Sequence, residues 1–202
     1  MWWLTDATAA SVNDEQKGWI QRLQHFIRTV WYFEPQIKMF GACFGHQILC
    51  KTILELSVKR LALEIGAQPI TLTPAFIDAF NSVSTARAPK PLRIQLVHED
   101  HVVAPSNGLL PLDCISVGAS ANCKIQGIYL PQRLLTFQGH AEFNRDICKS
   151  TAEAFFAEKF KWDPSLKVEC LRDIDQDDDG WWARKAIWDF LTQQTSSHAD
   201  IY

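Results

Sequence analysis

Met39-Phe40-Gly41-Ala42-Cys43-Phe44-Gly45-His46-Gln47 is the stretch that decides how this chain is read. Ile37 to Phe40 reads as a strand. A helix begins near His46 and carries Ile48, Leu49, Ile53 and Leu56 at helical spacing. Between them stands G-x-C-x-G, the thiol form of a nucleophile elbow. Its glycines have a steric reason: a sharp strand-to-helix turn strains the backbone at the nucleophile, and side chains on either side would collide. The helix that follows points its first amides toward the sulfur and favours the thiolate. The amide of Phe44 is then placed to donate to a developing oxyanion. The competing reading is a tight turn around a buried cysteine.

A second stretch, Phe137-Gln138-Gly139-His140-Ala141-Glu142-Phe143, closes the strand Leu134–Gln138 and precedes a long helix from about Asn144 to Phe160. A thiol nucleophile needs a base, and the base needs an orienting group. His140 and Glu142 are two apart, so in extended chain both point to one side. Glu142 can then hold one imidazole nitrogen while the other faces Cys43. Sites in open α/β sheets lie at the carboxyl ends of strands, where both segments sit.

Working outward, Ile20, Leu23, Phe26, Ile27 and Val30 give a helix over Trp19 to Tyr32 that stops before Pro35. Ile70–Leu72, Leu92–Leu96, Cys114–Val117 and Ile125–Tyr129 read as short strands. The polar segment Trp162 to Gly180 reads as surface loop, and Trp181 to Leu191 as a last helix. Trp2, Trp3, Trp19, Trp182 and Trp188 stand at packing positions. Strands alternating with helices predict an α/β layered fold with a mostly parallel sheet. Residues 1–194 form one expected domain, and 195–202 an expected frayed tail.

The chain has 202 residues, 20 Lys+Arg against 23 Asp+Glu, and a formal net charge of -3. That balance argues against nucleic acid as a partner. No apolar run approaches the ~18–20 residues that span a bilayer, and the first residues lack the basic flank and apolar stretch of a secretory signal. No membrane partner is expected, and a cytoplasmic or nuclear location is the default expectation. The six cysteines form no C-x-x-C pair, so neither a zinc knuckle nor a redox dithiol is signalled. Asp175-Gln176-Asp177-Asp178-Asp179-Gly180 imitates the start of a calcium loop, but its twelfth position is Ala186 where calcium needs a glutamate. A cap for the last helix explains the run. His98-Glu99-Asp100-His101 is not H-E-x-x-H, and period-two counting puts its histidines on opposite faces of a strand. No metal is expected.

Gly41-Ala42-Cys43-Phe44-Gly45-His46-Gln47 together with Gln138-Gly139-His140-Ala141-Glu142-Phe143 resembles the class I glutamine amidotransferase superfamily. The resemblance is nearest to its stand-alone members, which include plant γ-glutamyl peptidases and many fungal proteins. Glu64-Ile65-Gly66, His98-Glu99-Asp100-His101-Val102 and Cys123-Lys124-Ile125-Gln126-Gly127 match smaller segments of that branch. The resemblance runs from about Leu4 to Phe160 and implies a flavodoxin-like, three-layer fold with a Cys43–His140–Glu142 triad. Cys43 would attack a γ-glutamyl amide and carry a thioester, with no cofactor. Gln47, Gly41 and Gly45 would line the substrate, a small γ-glutamyl molecule, for example a glutathione-derived conjugate of specialised metabolism.

Two departures stand out. Members usually carry a strand, a helix and a strand before the segment matching Leu4-Thr5; a fold lacking these is expected here, with either a second copy of the chain covering the exposed edge or a shortened form. Asp6 stands where the family places an oxyanion-hole glycine, and Ala141 replaces a proline. The alternative these departures leave open is a catalytically silent or repurposed member that binds a metabolite or a partner.

Overall fold

The computed structural model describes residues 2–4, 11–14, 17–81, 84, 86–159 and 163–192. Strand β1 (Trp2–Leu4), helix α1 (Gly18–Phe33), strand β2 (Met39–Ala42) and helix α2 (Phe44–Ile53) come first, then β3 (Ser57–Leu72), α3 (Pro74–Asn81) and β4 (Leu92–Val103). Four short strands follow: β5 (Ile115–Ser116), β6 (Gly118–Ala119), β7 (Gly127–Leu130) and β8 (Leu134–Phe137). Helices α4 (Arg145–Lys159), α5 (Pro164–Ile174) and α6 (Gly180–Thr192) end the described chain.

The main sheet runs β1-β2-β8-β7-β5 and a second sheet runs β4-β3-β6. β2 is parallel to both β1 and β8, and all four of its residues are buried. Alternation along β2 and β8 sends Phe40 and Leu135 into one core with α3 and α6, and Met39 and Leu134 into another with α1 and α2. Those two cores on opposite faces make the three α/β layers. The expected parallel pairing holds for β1, β2 and β8. β7 runs antiparallel to β8, because a three-residue link between them is too short for a crossover, and β5 runs antiparallel to β7.

Three expectations need correction. β3 and β4 are far longer than Ile70–Leu72 and Leu92–Leu96, and pair antiparallel from Ser57↔Val103 to Ile70↔Leu92. Within Trp162–Gly180 lies helix α5, where a loop was expected. Asp163 caps it by accepting from the Ser165 amide, Pro164 opens it, and Leu166, Cys170 and Ile174 form a narrow apolar stripe at four-residue spacing. That stripe packs on β3 at Gly66, whose φ of +85° and 2.5 Å clearance from the Asp173 backbone leave no place for a Cβ. Among the tryptophans, Trp182 is buried, whereas Trp188 is 62% exposed on the outer face of α6. The tail 195–202, Asp6 and the side chains of Trp2 and Trp3 lie outside the described residues. No described helix is long and apolar enough to cross a membrane.

Candidate active site

Cys43 follows β2 directly, and Gly139-His140 follow β8. The two strands pair in register, Ala42 against Phe137, and the Cys43 amide donates to the Phe137 carbonyl at 2.9 Å. Residues almost a hundred positions apart therefore emerge side by side at the carboxyl ends of adjacent parallel strands. Cys43 has φ 49° and ψ -110°, outside the regions an ordinary L-residue occupies. Beneath it Gly41 and Gly45 touch: a Cβ on Gly41 would stand 2.6 Å from the Gly45 carbonyl carbon. Phe44 is the first residue of α2, two positions ahead of the expected start, so its amide belongs to the unpaired first turn of the helix.

His140 is 1% exposed. Its amide donates to the Gln95 carbonyl of β4 at 2.8 Å, and its Nδ1 lies 2.9 Å from Glu142 Oε1. Cys43 is the ring's other electrostatic neighbour. Burial opposes the imidazolium, but the charge and hydrogen bond of Cys43, followed by those of Glu142, outweigh it and push His140 up to about 10. Burial likewise opposes the Glu142 carboxylate, and the His140 ring overcomes this to hold it below the usual range. Phe143 stacks on the imidazole at 3.9 Å and 11°. The Ala141 carbonyl accepts from Arg184 of α6 at 2.6 Å, so α6 fixes the residue between His140 and Glu142 that lacks a proline's stiffness.

Gln47 is buried, and its amide nitrogen donates to the Asp100 carbonyl at 2.9 Å and to Gln138 Oε1 at 3.2 Å. The Cys43 Sγ lies 4.0 Å from the Val97 carbonyl oxygen. The sequence assigns no role to Val97 or Gln95, and none to Phe143 beyond its place in the motif. Two of them act through backbone carbonyls, which leave no mark on residue type. The acidic run before α6 caps it through Asp178, whose Oδ1 accepts from the Gly180 amide at 2.9 Å, and ties it to β4 through Asp179, whose Oδ2 accepts from the Arg93 amide at 2.8 Å.

The histidines of β4 do not fall on opposite faces. The rings of His98 and His101 lie 4.8 Å apart, and both are buried. The ladder pairs Arg60 with Asp100 and Glu64 with His98, so three residues of β3 stand against Glu99 alone. A bulge of that size adds twist and ends simple alternation.

A thiol on a strained elbow, an imidazole and a carboxylate thus meet at one end of a layered α/β sheet. No family model matches the chain. It is 30% identical over 145 residues to a glutamine amidotransferase-like protein of Schizosaccharomyces pombe, a match covering 71% of this chain and 53% of that protein. It is 32% identical over 114 residues to γ-glutamyl peptidase 2 of Arabidopsis thaliana, covering 54% and 42%. The chain thus spans about half the length of the curated relatives it matches. Its fold is similar to a glutamine amidotransferase of Thermotoga maritima, with a TM-score of 0.67 and 21% identity over 95% of this chain and 78% of that one. A glutamine amidotransferase of Methylobacillus flagellatus gives a TM-score of 0.66 at 18% identity, over 96% and 77%. The chain belongs to the class I glutamine amidotransferase-like superfamily.

Proposed function

We propose that this protein cleaves or transfers a γ-glutamyl group from an amide or peptide through a thioester on Cys43. The observation that carries the reading is that paired β2 and β8 end at Cys43 and at the segment carrying His140, whose Nδ1 lies 2.9 Å from Glu142 Oε1 and whose proton affinity is raised by both neighbours. His140 takes the thiol proton and Glu142 holds the resulting imidazolium. The sulfur attacks the γ-carbonyl carbon, and the oxyanion forms against the Phe44 amide at the head of α2. Collapse breaks the C–N bond while His140 returns the proton to the leaving amine. Water, deprotonated by the same imidazole, then releases the acyl group, or an acceptor amine takes it. The γ-glutamyl class follows from the names of the relatives.

The test is labelling with a γ-glutamyl diazo-ketone, followed by mass spectrometry. One adduct on Cys43, absent in Cys43→Ala, supports the proposal, as does release of glutamate from glutamine or glutathione by the wild type alone. A folded wild type that gains no adduct and releases no glutamate overturns it in favour of a silent, ligand-binding member.

A further inference from the structure

A second group of reactive side chains is buried in the β3–β4 ladder and the segment after β6. The ligand atoms of Glu64, His101 and Cys123 all lie within 4.8 Å of one another, the one such group among the described residues. These residues are 3%, 1% and 0% exposed. The orientation of His101 separates the group from an ordinary polar cluster. Its Nε2 lies 2.6 Å from the Ala62 carbonyl oxygen, which can only accept, so the ring proton sits there and Nδ1 carries a lone pair. That Nδ1 is buried and has no hydrogen-bond partner. A histidine with one ring nitrogen donating to a backbone carbonyl and the other bare is held as metal-ligating histidines are held. Ala62 lies in the three-residue bulge of β3, so that irregularity supplies the anchor of His101. Glu64 is fixed as firmly. Ser120 Oγ donates to Oε1, Gln126 Nε2 donates to Oε2 at 2.7 Å, and His98 Nε2 lies 3.1 Å from Oε2.

We propose that Glu64, His101 and Cys123 bind one divalent ion of the zinc type, serving the fold and not the reaction. Carboxylate oxygen, imidazole nitrogen and thiolate sulfur are the donors zinc takes, and a nitrogen–sulfur pair disfavours magnesium and calcium. Four-coordinate zinc spaces such donors about 3.3–3.6 Å apart, so the group closes by about 1 Å through side-chain rotation. The fourth position falls to water or to His98. Binding replaces the Cys123 S–H bond with a sulfur–metal bond and releases one proton to solvent, with no change of oxidation state. The ion ties β3, β4 and the segment leading into β7 together. That clamps β4, whose Val97 carbonyl faces Cys43 and whose Asp100 carbonyl holds Gln47. Ser120, which donates to Glu64, also lines an open groove of about 820 Å³ with Thr71, Lys90 and Ala119.

The experiment strips the full chain with a chelator, reloads it with Zn²⁺ or Co²⁺, removes the excess and measures bound metal. Wild type and Cys43→Ser should each hold about one equivalent, and His101→Gln and Cys123→Ser should bind at least about tenfold more weakly. The wild-type cobalt protein should show a thiolate-to-cobalt charge-transfer band that Cys43→Ser keeps. If Cys123→Ser fails to fold, His101→Gln and the cobalt spectrum of Cys43→Ser still decide. A wild type that binds no ion, binding lost in Cys43→Ser but kept in His101→Gln, or a cobalt spectrum without the thiolate band overturns the proposal. None of these readouts requires catalysis, so the outcome is independent of the function proposed above.

Discussion

Replacing Gly41 by alanine tests whether the close fit under the elbow is what holds the nucleophile. The added Cβ would meet the Gly45 carbonyl carbon and Leu49 Cδ1 at 2.6 Å and the Gly45 oxygen at 2.7 Å. Carbon atoms in contact prefer about 3.5–4.0 Å, so roughly 1 Å must be found. Leu49 is 0% exposed and cannot swing into solvent. The adjustment falls on the backbone of Gly45, and the first turn of α2 moves with it. Overpacking of this kind costs about 1–3 kcal/mol. At about 2–4 °C per kcal/mol for a domain of this size, Tm should fall by about 2–12 °C. A displacement near 1 Å at the head of α2 should also slow covalent capture of the Cys43 sulfur by about 10²-fold. Gly18→Ala is the control, because its Cβ meets only Arg22 Nη1 at 3.8 Å in the first turn of α1, and it should leave both readouts near wild type. The assays are thermal denaturation by circular dichroism and the labelling rate followed by mass spectrometry. A Gly41→Ala protein that melts and labels like Gly18→Ala refutes the argument.

Thiol chemistry gives a second prediction. Burial pushes Cys114 and Cys170 up to about 11, pushes Cys123 and Cys148 up to about 12, and raises Cys50 well above its ordinary value. From an ordinary value of 9.0, a rise to 11 or 12 leaves a thiolate fraction at neutral pH smaller by roughly 10²–10³. Cys50 also lies 3.5 Å from an imidazole, but burial drives that ring, His46, down to about 3, so it brings no charge. Iodoacetamide should therefore label Cys43 first, and uniform labelling across the six would contradict the assignment. The third prediction concerns pH. The folded His140 binds its proton more tightly than an unfolded histidine near 6.5. Its contribution to stability is thus full below pH 6.5 and is lost as pH rises through about 10. The stability gap between wild type and His140→Gln, measured by urea denaturation, should narrow over that interval. The ring's midpoint by NMR should drop in Cys43→Ala, and an unmoved midpoint would show that the sulfur does not hold the proton on His140.

The elbow and the His140–Glu142 pair were legible because each is a local geometry written by local spacing. Glycine at two positions around a cysteine permits one kind of turn, and a two-residue step in extended chain puts two side chains together. Their convergence was legible because both segments end strands, and β2 and β8 then pair in parallel. The first half of β3 was not. Residues 59–62 are exposed in succession, so no period-two alternation announces a strand. Helix α5 hid behind a stripe only one residue wide per turn, in a segment whose charge suggested a loop. The largest misreading, the faces of His98 and His101, has a different cause. Counting by two assumes an uninterrupted ladder, and the interruption belongs to β3, more than thirty positions earlier in the chain. A bulge is a property of two strands together, and neither sequence alone records it. That same interruption delivers the Ala62 carbonyl to His101 and turns the ring toward Glu64 and Cys123. One of the residues that simple counting dismissed as a metal ligand, His101, is therefore the one that this irregular ladder anchors on Ala62 beside Glu64 and Cys123.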